Sequence, residues 1–157
     1  MNIDVYTDGS SRGNPGPGGY GIVLRYREKE KELSGGFRLT TNNRMELMAV
    51  IVALESLKTT EHPVVIHSDS KYVIDSITKG WVFGWHKKGF KGKKNADLWM
   101  RYLMLHAKFK LTFTWVRGHN GHPENERCDL LATQAALNQP TGIDQGFENE
   151  LGGEGLF

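Results

Sequence analysis

Cysteine is almost missing from this chain of 157 residues, whose single thiol belongs to Cys128. One cysteine excludes an internal disulfide framework and a multi-cysteine zinc site, and it is typical of a protein in a reducing compartment. Residues 1–6 carry neither the basic nor the apolar stretch of a secretory leader, so we expect no signal peptide. Long apolar runs are also missing, since the longest extends only from Leu47 to Leu54 and is too short to cross a bilayer. We therefore expect a cytoplasmic protein that does not bind membranes.

The chain has little net charge, +2 in total, but its charges are unevenly distributed. Residues 76–96 contain six lysines and no Asp or Glu, whereas the chain after Arg127 contains five acidic residues and no Lys or Arg. The last segment is also rich in glycine, a composition typical of flexible chain. Length and composition otherwise fit one globular domain. We expect this domain to span 1–140 and a flexible, acidic, glycine-rich tail to span 141–157.

Hydrophobic periodicity and turn residues predict the order β-β-β-α-β-α-α-β-α, with a further short helical piece at 81–89. Three strands with short links precede the first helix, and two further strands then alternate with helices. This order favours an α/β fold: a mixed five-stranded sheet, first antiparallel and then parallel, flanked by helices on both faces. The predicted strands are 3–8, 20–26, 32–39, 64–68 and 111–116, and the other predicted helices are 44–58, 70–78, 95–108 and 123–137.

Four carboxylates stand where a binding site could form. Asp8 and Asp69 close two predicted strands, and if those strands are parallel neighbours, both side chains lie at one edge of the sheet. Glu46 and Asp129 lie on predicted helices. Ordinary explanations exist as well: a turn or cap for the two strand-end residues, a capping box with Asn43 for Glu46, and solvent exposure for Asp129. Gathered together, such carboxylates would bind Mg²⁺, which prefers oxygen ligands, but the sequence permits this convergence without showing it.

A second candidate feature is the segment 80–94, which interleaves aromatic residues with lysines. This composition is typical of a surface that binds a phosphate backbone and stacks on sugars or bases. The alternative is a solvated basic helix whose Trp81 and Trp85, four residues apart, pack on the core. The candidate substrate-binding residues of this segment are Trp81, Trp85, Lys87, Lys88, Phe90 and Lys91.

A third candidate is the pair His119 and His122, spaced H-x-x-H in a glycine-rich loop. A transition-metal site there lacks a cysteine ligand, so a loop histidine that moves protons fits better. The glycines at 16–21 formally match G-x-G-x-x-G, but a strand rather than a helix follows them, which excludes a dinucleotide fingerprint.

Five segments of the sequence form a recognisable pattern: 6–10 (YTDGS), 13–21 (GNPGPGGYG), 40–47 (TTNNRMEL), 68–70 (SDS) and 118–129 (GHNGHPENERCD). Taken together, they closely resemble ribonuclease H type 1 of the bacterial kind. The resemblance extends from the first residue to about Asn138, and several long matches in the right order are more specific than any single motif.

The resemblance implies a ribonuclease H-like fold and an endonuclease that cuts the RNA strand of RNA–DNA hybrids. It implies two-metal-ion, in-line attack of water, with 5′-phosphate and 3′-hydroxyl products, two Mg²⁺ ions for which Mn²⁺ can substitute, and a monomer. By resemblance, Asp8, Glu46, Asp69 and Asp129 are metal-binding catalytic carboxylates, and His119 assists proton transfer or product release. Asn14, Thr41 and Asn42 would contact the substrate, and the basic segment would be a protrusion that binds the DNA strand.

The chain departs from the family pattern in the protrusion, where Phe90 replaces a third Trp of some bacterial relatives and the following loop is shorter. Two other functions stay open on the sequence. One is a non-catalytic hybrid-binding module, although the presence of all four carboxylates argues against it. The other is a nuclease or strand transferase of similar fold that acts on DNA.

Overall fold

The computed structural model describes residues 1–117 and 122–154. Within these residues, no helix combines the length and the apolarity that crossing a membrane requires. The strands are β1 Ile3–Ser11, β2 Gly16–Tyr26, β3 Lys29–Thr40, β4 Val64–Ser68 and β5 Leu111–Trp115. The helices are α1 Asn42–Ser56, α2 Lys71–Thr78, α3 Trp81–Lys87, α4 Ala96–His106, α5 Pro123–Leu137 and α6 Gln145–Glu154.

The five strands form one mixed sheet in the order β3-β2-β1-β4-β5. Strands β1, β2 and β3 pair antiparallel, whereas β4 pairs parallel to both β1 and β5. This topology confirms the predicted fold class. Strands β1 and β4 are thus parallel neighbours, and their carboxyl ends meet at the same edge of the sheet.

Helices α1 and α5 cover opposite faces of the sheet. Gly9 faces α1, because a Cβ atom there would overlap the backbone of Met45 and Glu46. Gly21 faces α5, because a Cβ atom there would overlap the carbonyl of Cys128. Gly21 pairs with Asp8, the neighbour of Gly9, and consecutive residues of a strand point to opposite faces. The glycines therefore let one helix approach each face closely.

The starts of β2 and α1 both differ from the sequence-based prediction. Strand β2 begins at Gly16 rather than Tyr20, because its glycines run in extended chain under the helices instead of forming turns. Helix α1 begins at Asn42, and its N-cap is Thr41, whose Oγ1 accepts a hydrogen bond from the Arg44 N–H at 3.2 Å. The prediction of Asn43 as the N-cap is therefore wrong.

The segment after Thr141 also differs from the flexible tail that composition predicts, since α6 lies within it and Asp144 is only 2% exposed. Asp144 accepts hydrogen bonds from the Arg44 guanidinium at 2.7 and 2.8 Å and from the Thr40 hydroxyl at 2.6 Å. The physical reason is charge pairing: burial of Arg44 requires a partner, and the acidic segment supplies it. The domain boundary near 140 stays a prediction.

Candidate active site

Asp8, Glu46 and Asp69 converge at the edge of the sheet where β1 and β4 run side by side. Each residue offers one carboxylate oxygen, and these oxygens lie within 4.8 Å of one another. Asp8 and Asp69 each stand two residues beyond the paired residues Tyr6 and His67, so the parallel register places them together. Strand β1 continues to Ser11, so Asp8 lies within the strand rather than at its end.

Glu46 reaches the same place from α1 because of the glycine beside Asp8. With no Cβ at Gly9, the backbone of α1 at Glu46 lies directly against β1. The Gly9 N–H also donates a hydrogen bond to Asp8 Oδ1 at 2.9 Å, which helps to hold that carboxylate. The Asp8-Gly9 pair therefore supplies one carboxylate of the cluster and the space that lets the Glu46 carboxylate approach it.

The three carboxylates repel one another when ionised. Burial, together with the charge of Asp69, raises the pKa of Asp8 to about 8. Burial and the charges of Asp8 and Asp69 raise the pKa of Glu46 well above its usual value. Such a site binds protons tightly unless a cation neutralises it.

The donor set fits a divalent cation with oxygen ligands. Glu46 Oε1 and Asp69 Oδ1 are buried atoms for which the described residues supply no hydrogen-bond partner. Buried oxygens of this kind cost free energy unless something binds them. Three convergent carboxylates with unused oxygens match the preference of Mg²⁺ and Mn²⁺ for hard ligands.

Asp129 is half-buried on α5 and lies outside this group of three. Its charge nevertheless contributes to the raised pKa of Asp8, after the larger effects of burial and of Asp69, so it lies within electrostatic range. The predicted histidine, His119, lies outside the described residues. His122 stands at the N-cap position of α5 and makes no side-chain capping hydrogen bond.

The three predicted polar substrate contacts lie together at the start of α1. The Asn42 N–H donates a hydrogen bond to Asn14 Oδ1 at 3.1 Å, which ties the loop between β1 and β2 to the helix. Thr41 caps the helix directly before Asn42. Asn14, Thr41 and Asn42 thus form one polar surface, and their role in binding stays a prediction.

The basic segment presents cations around partly exposed aromatic rings. Trp81 is 47% exposed, and Lys79 Nζ lies 5.3 Å from the centre of its ring. Trp85 is half-buried, with Lys93 Nζ 5.0 Å from its ring centre and its edge against Trp99. The exposed lysines within this segment and directly before it are Lys79, Lys87, Lys88, Lys91, Lys93 and Lys94.

Phe90 departs from the predicted substrate-binding set because it is only 7% exposed. Its backbone adopts a positive φ of 58°, and its N–H donates to the Trp85 carbonyl at 2.8 Å. This turn directs the ring inward, near His86 and the core. Phe90 therefore anchors the segment, and the structure leaves little of its ring for a substrate.

A cationic cluster that was not among the predicted site residues lies beside Asp69. The indole N–H of Trp115 donates to the Asp69 carbonyl at 3.4 Å, and Lys71 Nζ lies 4.3 Å from the indole centre. The Arg117 guanidinium lies 5.7 Å from the same ring. The signal was present, because Lys71 and Arg117 each follow the end of one of two neighbouring parallel strands.

Comparison with known proteins decides the family, since the RNase H family model matches residues 1–137. The chain belongs to the RNase H family. Ribonuclease H of Shewanella amazonensis is 55% identical over 151 residues, covering 93% of this chain and 96% of the relative. Ribonuclease H of an Escherichia coli O139:H28 strain is 52% identical over 155 residues, covering 95% and 97%.

Solved RNase H structures share the fold. LC9-RNase H1, described as a type 1 RNase H with the type 2 active-site motif, is 34% identical with a TM-score of 0.79, covering 95% of this chain and 80% of that protein. LC11-RNase H1, solved in complex with an RNA/DNA hybrid, is 26% identical with a TM-score of 0.66, covering 85% and 96%. These relatives confirm the predicted RNase H type 1 family, and with it a ribonuclease H hydrolase.

Proposed function

We propose that this RNase H is an endonuclease that hydrolyses the RNA strand of RNA–DNA hybrids and leaves 5′-phosphate and 3′-hydroxyl ends. The observation that carries the proposal is the convergence of carboxylate oxygens from Asp8, Glu46 and Asp69 within 4.8 Å. The hybrid bound to LC11-RNase H1 supports the choice of substrate.

Asp8, Glu46 and Asp69 are the proposed ligands of the divalent cations, and Asp129 approaches the same site from α5. When bound, two Mg²⁺ ions would activate a water molecule for in-line attack and stabilise the leaving oxygen, and Mn²⁺ can take their place. The raised pKa values of Asp8 and Glu46 make this site dependent on cations, because protons compete for the same oxygens.

The remaining residues bind and orient the hybrid. Asn14, Thr41 and Asn42 can donate and accept hydrogen bonds at 2′-hydroxyl and phosphate groups. The contacts to 2′-hydroxyl groups distinguish a strand of RNA from one of DNA. Trp81, Trp85 and the exposed lysines are proposed to hold the DNA strand through stacking and phosphate contacts. His119 is the proposed group for proton transfer or product release.

Replacing Asp69 by Asn tests the site. We expect cleavage of a labelled hybrid in Mg²⁺ to fall on the order of 100-fold or more, because loss of a metal ligand exceeds the cost of losing an outer partner. Titration calorimetry with Mn²⁺ should show weaker binding by the variant. Asp75→Asn, which changes the same residue type at a partly exposed position of α2, is the control and should cleave normally. Activity of Asp69→Asn near that of the parent would contradict the assignment.

The same assay, run with the hybrid and with duplex DNA as substrates, distinguishes the alternative functions. A non-catalytic binding module would retain the hybrid without cutting it at any Mg²⁺ or Mn²⁺ concentration. A nuclease for DNA would cut duplex DNA in preference to the hybrid. EDTA should abolish cleavage in every case that depends on the carboxylate cluster.

We also propose that the enzyme acts as a monomer in the cytoplasm. One chain supplies every candidate residue of the site, and the single cysteine fits a reducing compartment. Sedimentation equilibrium at micromolar concentration tests the first point, since a dimer would double the mass.

A further inference from the structure

Helix α6 lines a groove next to the polar surface at the start of α1. The groove has a volume of about 350 Å³. One side is formed by the loop before β2 and the start of α1, and a second side by Lys94 of the basic segment and the adjoining Asn95. The third side consists of three residues of α6, Phe147, Glu150 and Leu151.

Ion pairs and a backbone hydrogen bond hold α6 in this position. The Arg38 guanidinium donates to the Glu148 carboxylate at 2.7 and 2.9 Å, and the Arg38 N–H donates to the Gly142 carbonyl at 2.8 Å. Asp144, directly before the helix, is buried against Arg44. The wall is therefore fixed at both β3 and α1, and Glu150 is presented from a held helix rather than from a loose tail.

The charges around the groove oppose one another. Lys94 attracts a phosphate there, whereas Glu150 repels it. Glu150 is exposed and makes no ion pair with any residue that the structure describes, so its charge is not neutralised locally. A nucleic acid that enters the groove therefore meets one attractive and one repulsive wall.

We propose that Glu150, which α6 holds in the outer wall of this groove, weakens hybrid binding by charge repulsion. This inference rests on the proposed function, because it requires that the hybrid binds along the surface of Asn14 and Thr41. It makes the acidic end of the chain a determinant of substrate affinity and release.

Glu150→Gln tests the inference, because it removes the charge and keeps the shape. The dissociation constant of a labelled RNA–DNA hybrid is measured in EDTA, where cleavage cannot occur. At about 10 mM salt the variant should bind about two- to five-fold tighter than the parent, and at about 150 mM the difference should shrink as the charges are screened. Glu150→Lys should bind tighter still. A change in fold would not produce this dependence on salt.

Glu61→Gln is the matched control, since Glu61 is exposed and lies before β4, at the opposite end of that strand from Asp69. It should bind like the parent. If Glu150→Gln and the parent bind the hybrid with equal affinity at low salt, the inference is overturned. It is also overturned if Glu61→Gln gains as much affinity as Glu150→Gln, because the effect would then reflect net charge alone. Cleavage of the hybrid by the parent is measured in a separate assay with Mg²⁺. If the parent binds the hybrid but does not cut it, the proposed function is refuted, whereas the effect of Glu150 is still decided by the binding measurements. A parent that does not bind hybrid at low salt overturns both.

Discussion

Replacing Asp8 by Asn removes one charge from the carboxylate cluster, and we expect the metal-free protein to become more stable. Each pair of ligand oxygens is separated by at most 4.8 Å. At an effective dielectric constant of about 20, two unit charges at that distance repel by about 3.5 kcal/mol. Partial protonation of the cluster and relaxation of water reduce this repulsion, so the expected gain in unfolding free energy is about 1–3 kcal/mol. For a chain of this size the melting temperature should rise by about 3–10 °C.

The gain should depend on pH in a defined direction. Burial, followed by the charge of Asp69, raises the pKa of Asp8 from an ordinary 3.8 to about 8, so the folded state binds this proton more tightly than the unfolded state does. A raised carboxyl pKa costs no stability below the unfolded value and an increasing amount as pH rises towards the folded value. The difference between Asp8→Asn and the parent should therefore grow between about pH 4 and pH 8 and then level off.

Thermal unfolding in EDTA, followed by circular dichroism from about pH 5 to about pH 9, measures this difference. Asp75→Asn is the control: its carboxylate makes only a partly exposed ion pair with Lys79 at 3.7 Å, and its loss should change stability by less than about 1 kcal/mol. Added Mg²⁺ should stabilise the parent more than Asp8→Asn, because only the parent keeps the full set of ligands. A melting temperature of Asp8→Asn below that of the parent across this pH range would show that the carboxylate is structural and that the repulsion argument is wrong.

Two further predictions concern the buried network and the basic segment. Asp144→Asn should destabilise the protein by about 3 kcal/mol, because it leaves the buried Arg44 with Asp97 as its remaining ionic partner; denaturant unfolding measures the loss, and an unchanged midpoint would contradict it. Neutralising the exposed lysines should raise KM more than it lowers kcat and reduce the salt dependence of binding, by about 0.9 in log–log slope for each phosphate that is no longer neutralised. A fall in kcat alone would assign these residues to the chemical step instead. The lysines to replace together are Lys87, Lys88 and Lys91.

The proximity of Asp8 and Asp69 was predictable from sequence, whereas the position of Glu46 was not. A short apolar strand followed by Asp indicates a sheet edge, and parallel β1 and β4 then bring Asp8 and Asp69 together. For Glu46 taken alone, the sequence favoured a role as a capping-box residue for Asn43. The structure removes that explanation, because Thr41 is the N-cap and Glu46 lies beyond the first turn that a capping box joins. The contact that places Glu46 in the cluster is the packing of α1 against Gly9. This contact joins segments that are distant in the chain, so no local sequence pattern predicts it.

Phe90 is a residue whose position amino-acid composition predicted wrongly. Aromatic residues among lysines are typical of a nucleic-acid surface, and Trp81 fits this expectation as an exposed ring. Phe90 stands in the same pattern, yet a positive φ turns it inward. Side-chain direction in a loop depends on backbone angles that spacing does not encode.

The acidic end of the chain was predicted to be flexible because few apolar residues are available there to bury. An ion pair holds this segment in place instead. Arg44 is fully buried, and its guanidinium donates a hydrogen bond to Asp144, which lies 100 residues later in the sequence. Arg44 precedes Glu46 by two residues on α1, so the same turn of helix anchors the end of the chain and presents a proposed metal ligand. Since the network that buries Arg44 also fixes α6 beside Asn14 and Thr41, the acidic segment forms one wall of the groove next to the proposed substrate contacts.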